Sequence, residues 1–260
     1  MRNLVERRSL LFQLVRRDFD QRFVGSAAGW VWGLIHPLVL LASWTFVFSV
    51  CMKAKLPPGE ITDNYPLFLF AGMLPWLLFS ETVNRSAASL LDQANLITKT
   101  VFPAEIVPLS IFLSALVSHL LALVLVMTVV GVWENQFSVF VLLLPVYMVL
   151  VGLFAVGIGW IVASLHVYLR DTAQMVSVVL TVWFWITPIF ISADQFPEKW
   201  RFVLTGNPLS FIVRAYRVLL LTHQLPDPED FALVTLYAIT TFICGGLFFR
   251  HMKRGFADVL

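Results

Sequence analysis

The chain has 260 residues, 59% of them hydrophobic and 13% charged, with a mean hydropathy of +0.83 and a formal net charge of +2. This balance is far from that of a soluble domain and leaves no room for a soluble catalytic module beside the apolar runs. The small net charge carries no argument for nucleic acid. Cys51 and Cys244 lack CxxC or ligand spacing, and both read as apolar thiols buried in or beside spans.

Residues 1–24 read as a basic amphipathic helix. Leu11, Leu14, Val15, Phe19 and Phe23 recur at helical spacing, with Arg16, Arg17, Asp18 and Asp20 on other faces. Such a helix beside a span lies in the headgroup plane. It serves as a topology anchor or as a gate or docking collar. The segment has no clean apolar stretch or small-residue cleavage site, so it does not read as a cleavable signal.

The first span, 28–51, follows small residues at 25–29 and bends at His36-Pro37. After an external loop with Pro57-Pro58-Gly59 comes the second span, 66–88. It holds Gly72-Met73-Leu74-Pro75-Trp76 and turns polar at Glu81, Asn84, Arg85 and Ser86. Residues 92–105 form a cytoplasmic segment with a short apolar stripe and a hard stop at Phe102-Pro103. It reads as a short exposed helix suited to a partner's groove.

The third span is 106–130 and the fourth 139–165. The uncharged run 137–169 that holds the fourth has 33 residues. As helix that is ~50 Å, so its end projects from the hydrocarbon toward Arg170-Asp171. The fifth span, 173–191, carries Trp183-Phe184-Trp185 and Thr187-Pro188. Residues 192–224 hold apolar pieces broken by Pro197, Gly206-Asn207-Pro208, Arg214 and Arg217, and none reaches spanning length. They suit an external re-entrant pair. The sixth span is 231–249, stopped by Arg250, Lys253 and Arg254.

A span needs about 20 apolar residues to cross ~30 Å of hydrocarbon, where unpaired backbone groups are not tolerated. The expected fold is therefore an all-α membrane protein with six transmembrane helices. Six spans put both termini on one side. If that side is the cytoplasm, twelve of the 18 Lys and Arg residues lie inside, which supports cytoplasmic termini.

The chain has no GxxxxGK[ST], so it cannot cradle ATP phosphates alone. It has no HExxH, no GxSxG and no Cys/His cluster, so neither a metal site nor a catalytic centre is expected. Ionisable residues are scarce within the spans, and Glu81 is the one carboxylate within reach of the second span's hydrocarbon depth. That scarcity weighs against an ion-coupled carrier. His36, His119 and His166 read as histidines hydrogen-bonded to neighbouring helices. The sequence has 23 Phe, 9 Trp and 5 Tyr. Trp133, Trp200 and Tyr65 suit an interfacial belt, whereas Trp44, Trp76, Trp183 and Trp185 sit deeper.

Several short motifs run in order along nearly the whole chain. They are Arg17-Asp18 with Arg22-Phe23, Ser26, Gly29-Trp30-Val31-Trp32, Pro37, and Gly72-Met73-Leu74-Pro75-Trp76. Asn95-Leu96-Ile97 follows with Phe102-Pro103, then Arg170-Asp171, Thr187-Pro188-Ile189-Phe190 and Asn207-Pro208-Leu209. Together they resemble the permease subunit of ABC-2 type exporters, in the polysaccharide branch that exports O-antigen, capsule or teichoic acid chains. Phe23 stands where Tyr is common in that family, and Ala104 where a basic residue is frequent.

The resemblance implies a division of roles. Residues 1–24 correspond to the family's interface helix, and 25–260 to a single ABC-2 transmembrane domain. Residues 92–105 correspond to the coupling helix that docks on a separate ATPase, through Asn95, Leu96, Ile97, Lys99, Phe102, Pro103 and Glu105, with Arg170 and Asp171 nearby. Residues 192–224 correspond to the external re-entrant helices. The working unit implied is a homodimer of permeases with two cytoplasmic ABC ATPases, in the bacterial inner membrane. ATP and Mg²⁺ sit on the partner, and this chain holds no cofactor. The cargo implied is a polysaccharide on an undecaprenyl-diphosphate-type lipid.

Arg7, Arg8, Arg16, Arg17 and Arg22 are candidates for the lipid diphosphate at the membrane surface. Trp30, Trp44, Trp76, Phe79, Glu81, Trp183 and Trp185 are candidates for lining the channel, since aromatic faces stack on sugar rings. Membrane lipids, and not nucleic acid, are the remaining expected partners. Two alternatives stay open: an ABC-2 permease for another cargo such as a drug, lipid or haem, and a non-ABC ion-coupled carrier or glycolipid-handling membrane enzyme.

Overall fold

The computed structural model describes residues 8–23, 31–99, 102–134 and 138–259, and every regular element among them is helical. Helix α1 is Arg8–Phe23. Helix α2, Trp32–Thr45, runs on as a wider turn of π-helix over Phe46–Cys51. Helix α3 is Tyr65–Asp92, α4 is Ala94–Lys99 and α5 is Ile106–Glu134. A 3₁₀ turn, Val139–Leu143, leads into α6, Leu144–Tyr168, and α7 is Thr172–Ile186. Short helices α8, Arg201–Thr205, and α9, Pro208–Leu221, precede α10, Pro228–Met252, and α11, Phe256–Val259.

Among the described residues, four helical stretches are long and apolar enough to cross a membrane: Tyr65–Asp92, Ile106–Gly131, Val139–Tyr168 and Pro228–Gly255. Leu38–Cys51 and Thr172–Ile186 are apolar but shorter. The fifth expected span stops at Ile186, five residues before its expected end at 191. The cause is local: proline disfavours helical backbone in the residue before it, and Thr187 is extended, with ψ 134°. Within the expected 92–105 helix, the described residues form helix over Ala94–Lys99.

Helix α3 is the centre of the molecule, with α5, α6, α7 and α9 all packed on it. The Asn64 side chain caps its start by accepting from the Leu67 amide, with Pro66 in the first turn. The helices alternate in direction. Leu90 at the end of α3, Val107 at the start of α5, Val167 at the end of α6 and Phe249 at the end of α10 share one apolar cluster. At the opposite end the Phe48 ring lies 6.3 Å from Tyr65, and the Tyr147 ring 5.8 Å from Phe231.

Glycine sets the tightest contact, between α6 and α10. A Cβ at Gly157 would lie 2.5 Å from the Thr241 carbonyl oxygen, and one at Gly245 would overlap the Gly157 carbonyl. Only a residue without a side chain lets two helix backbones meet this closely.

The expected external segment folds onto α3. Arg217 on α9 is buried, and its Nε and Nη2 donate to the carbonyls of Phe68 (3.2 Å) and Ile189 (2.7 Å). Its guanidinium lies 3.4 Å from the centroid of the Phe68 ring. Gly72 makes the space, since a Cβ there would be 2.7 Å from Nη2. The Thr187-Pro188 break is thus not left with open carbonyls.

Asn207 completes this junction. Its Nδ2 donates to Thr187 Oγ1 (3.0 Å), and its Oδ1 accepts from Trp183 Nε1 (2.9 Å) and from the Leu209 amide (3.1 Å). Two motifs twenty residues apart in sequence are therefore one hydrogen-bonded unit.

Two readings need correction. Cys51 and Cys244 are both exposed, not buried; each lies on the outer face of an apolar helix, where lipid suits a thiol as well as a core does. Tyr65 is buried rather than interfacial, and its hydroxyl donates to the Phe190 carbonyl at 2.8 Å.

Candidate functional site

A cavity of about 630 Å³ opens between α2, α3, α5 and α7. Its walls follow one rule. Leu77, Ser80, Glu81 and Asn84 face it from α3; Ala115, Ser118, His119 and Ala122 from α5; Ser177, Leu180, Thr181 and Phe184 from α7. Each set is spaced i, i+3, i+4, i+7, which places four side chains on one helix face. Trp32, Gly33, Leu40 and Trp44 from α2 and Met73, Leu74, Trp76 and Leu78 from α3 complete the lining.

The cavity is aromatic at one end and polar at the other. The Trp76 and Phe184 rings lie 5.3 Å apart, and Trp44 and Phe184 5.5 Å. Such spacing forms a shared aromatic wall. On the polar side Ser177 Oγ donates to Asn84 Oδ1 at 3.1 Å, and Thr181 Oγ1 to the Ser177 carbonyl at 2.8 Å. His119 is buried and its Nε2 meets the Tyr216 hydroxyl at 3.2 Å. That contact fits the reading of His119 as a histidine bonded to a neighbouring helix.

Glu81 is the carboxylate of the cavity wall. One turn along α3, Arg85 lies 3.6 Å from Glu81 and also donates to Asp18 on α1. This chain of three charges ties the N-terminal helix to the second span. Leu14 is the buried apolar anchor of α1, while Phe12 is exposed.

The sequence-derived candidates separate in space. Trp44, Trp76 and Glu81 line the cavity. Phe79 is fully buried elsewhere, stacked at 5.4 Å on Phe154 and edge-on at 5.2 Å to Trp183. Trp183 is held by Asn207, and Trp185 is exposed and stacked on Phe190 at 5.3 Å. Trp30 and Arg7 lie outside the described residues, and the side chains of Arg8, Arg22 and Lys99 are likewise outside them. Arg16 and Arg17 are exposed, and Arg16 pairs with Asp20 at 3.8 Å.

The coupling candidates gather at the end of the bundle that holds the α3, α6 and α10 C-termini. Asn95 is exposed and Leu96 half-buried. Ile97 and Phe102 pack against the chain's own cluster of Leu90, Ala104, Val107 and Phe249. Pro103 is half-buried, and Arg170 and Asp171 are exposed at the α6–α7 turn. Glu105 Oε1 accepts from Lys253 Nζ at 2.7 Å, and the Glu105 carbonyl from Trp160 Nε1 at 2.9 Å.

Asn84, Ser118, Ser177 and Thr181 were not picked out from the sequence as lining. Part of a signal was present: Ser80 and Asn84, and Ser177 and Thr181, each recur one turn apart on a single helix face.

Comparison with known proteins agrees with this architecture. The family model for the ABC-2 type transporter matches residues 9–221, which run from α1 through α9. The chain is 30% identical over 261 residues to the O-antigen export system permease protein RfbA of Myxococcus xanthus, covering 99% of this chain and 98% of that protein. It is 29% identical over 255 residues to the O-antigen export system permease protein RfbA of Klebsiella pneumoniae, covering 96% and 95%. It is 21% identical over 244 residues to the polysialic acid transport protein KpsM of Escherichia coli, covering 93% and 92%. With its multi-pass apolar helices, this chain belongs to the ABC-2 type transporter family.

Proposed function

We propose that this chain is the membrane permease of an ABC exporter that carries a lipid-linked polysaccharide of the O-antigen kind out of the cytoplasm. A separate ATPase subunit, holding the ATP and Mg²⁺, drives it. The observation that carries this reading is the cavity: tryptophan faces opposite a row of hydroxyl and amide side chains. Aromatic faces take the C–H-rich faces of sugars, and short polar groups take their hydroxyls. The names of the relatives point the same way.

In this reading α2 and α7 cross the membrane with the four longer helices, giving six spans with both termini cytoplasmic in the bacterial inner membrane. Helices α8 and α9 are the re-entrant pair at the outer mouth. Two permeases pair, so that two cavities form one path. Exposed Asn95 and half-buried Leu96, with Arg170 and Asp171, present the docking surface to the ATPase, while Ile97 and Phe102 hold that surface on the bundle end. Arg7, Arg8, Arg16, Arg17 and Arg22 attract the lipid diphosphate at the headgroup plane. ATPase closure then moves the bundle end, and the helices swing as rigid levers.

Co-purification in detergent with the partner ATPase tests the coupling assignment. Asn95→Lys with Leu96→Asp is expected to cut recovery of the complex at least tenfold while the permease stays monodisperse. An undiminished complex would place docking elsewhere. Failure of the wild-type permease to retain any ATPase would overturn the exporter reading.

A further inference from the structure

The residues that follow α10 turn back into the bundle. Helix α10 ends at Met252, a 3₁₀ turn covers Lys253–Gly255, and α11 begins at Phe256. The Tyr168 hydroxyl, at the end of α6, donates to the Met252 carbonyl at 2.9 Å. That carbonyl is among the last four of α10, which find no partner within the helix. Gly255 permits the approach, since a Cβ there would lie 2.5 Å from the same hydroxyl. Phe256 is thereby turned inward. It is 1% exposed, with its ring edge-on to Phe249 at 5.5 Å and 6.2 Å from Tyr168.

Phe256 shares its apolar cluster with Leu90, Ala104, Val107, Val167 and Phe249, and Ile97 and Phe102 pack against that cluster. Helix α4 has six residues, too few to hold a helix in place without tertiary support. Glu105, at the other end of the 92–105 segment, is held twice. Its carbonyl accepts from Trp160 Nε1 at 2.9 Å, and its carboxylate from Lys253 Nζ at 2.7 Å, 148 positions away in sequence. We infer that Lys253 and Phe256 are positioning residues for the ATPase, seating the 92–105 segment so that Asn95 and Leu96 are presented in one fixed arrangement. The inference rests on the exporter reading above. Phe256 acts through Ile97 and Phe102, because a side chain so deeply buried reaches no partner itself. A docking surface already fixed by packing loses little freedom on binding. When its seat is removed, that ordering must occur at the moment of docking, and affinity falls.

Two measurements on the full-length permease test this: amide hydrogen exchange over residues 94–105, and the affinity of the partner ATPase in detergent. Phe256→Ala is expected to speed that exchange at least fivefold and to weaken ATPase binding at least fivefold. Phe256→Leu, which refills the cluster, should restore both to within about twofold of wild type. Phe79→Ala removes an equally buried ring outside this cluster; it should lower the Tm and move neither measurement. Lys253→Glu, at a side chain 34% exposed, requires no repacking and should by itself weaken binding several-fold, so the test stands even where Phe256→Ala does not fold. Either measurement left unmoved by Phe256→Ala, binding left unmoved by Lys253→Glu, or binding weakened equally by Phe79→Ala would overturn this inference alone. A wild-type permease that retains no ATPase would overturn the exporter reading and this inference with it.

Discussion

Helices α3 and α10 are of similar length and both are apolar, yet they occupy opposite environments. The spanning window of α3 is 72% buried inside the molecule, and that of α10 only 17%. The more buried helix is the less apolar of the two. In water the order would be reversed. In a membrane, lipid satisfies leucine and phenylalanine as well as a protein core does, so it is the polar residues that require protein neighbours. Helix α3 carries Glu81, Thr82, Asn84, Arg85 and Ser86 and is surrounded by other helices. Helix α10 turns Leu236, Ile239, Ile243 and Leu247 outward and keeps a narrow buried strip at Val234, Ala238, Gly245 and Phe249.

The largest effect that probes this contrast is a paired truncation. Phe79→Ala removes a fully buried ring from α3 and is expected to destabilise the permease by about 3–5 kcal/mol, because the neighbouring rings cannot collapse into the gap. Leu236→Ala, at a position 62% exposed, is expected to change stability by less than about 1 kcal/mol. Thermal unfolding in a matched detergent measures both. Equal losses would erase the distinction between the two helices.

The glycine strip gives a smaller, sharper test. Gly245→Ala forces a methyl into the Gly157 backbone, whereas at Gly246 the nearest neighbour is the edge of the Trp160 ring, 3.3 Å from a new Cβ. The first substitution is expected to cost about 1–3 kcal/mol and the second less than half of that, since a ring can shift and a helix backbone cannot. A Tm that falls equally for both would show that α6 and α10 are not held at this contact.

The smallest effect concerns the C-terminal end of α10. Lys253→Ala removes the ion pair with Glu105, whose partners are 34% and 46% exposed. Exposure on that scale limits the expected loss to below about 1 kcal/mol. The matching readout is ATPase activity of the assembled complex, which should become less responsive to cargo if this pair helps hold the 92–105 segment. A stability loss several times larger would mean that the pair belongs to a more protected network.

Much of this was legible in the residues. Runs without charge marked the apolar stretches that became α5, α6 and α10, because a lipid environment penalises charge more than any other feature; α3, which carries Glu81 and Arg85, is not such a run. The Asn64-Tyr65-Pro66 start and the Thr187-Pro188 stop follow from capping and proline chemistry, although the stop acted five residues earlier than the run of apolar residues suggested. The α7 wall of the cavity was written in the spacing of Ser177 and Thr181, one turn apart, yet such a pair has meaning only when three helices turn their faces to one point. Aromatic content alone did not separate Trp76, which lines the cavity, from Phe79, three residues away and sealed in the core.

The sequence by itself determined that the chain is helical and membrane-embedded, because those properties follow from local composition and from the need to pair every backbone group within its own segment. The tertiary structure alone decided which helix lies at the centre, which faces meet lipid, and which aromatic and polar side chains share a cavity. Arg217 reaching the carbonyls of Phe68 and Ile189, and Arg85 reaching Asp18, are contacts between residues 28 or more positions apart. No local period encodes them; they exist because burying a guanidinium in an apolar medium is tolerated only where the fold brings acceptors to it.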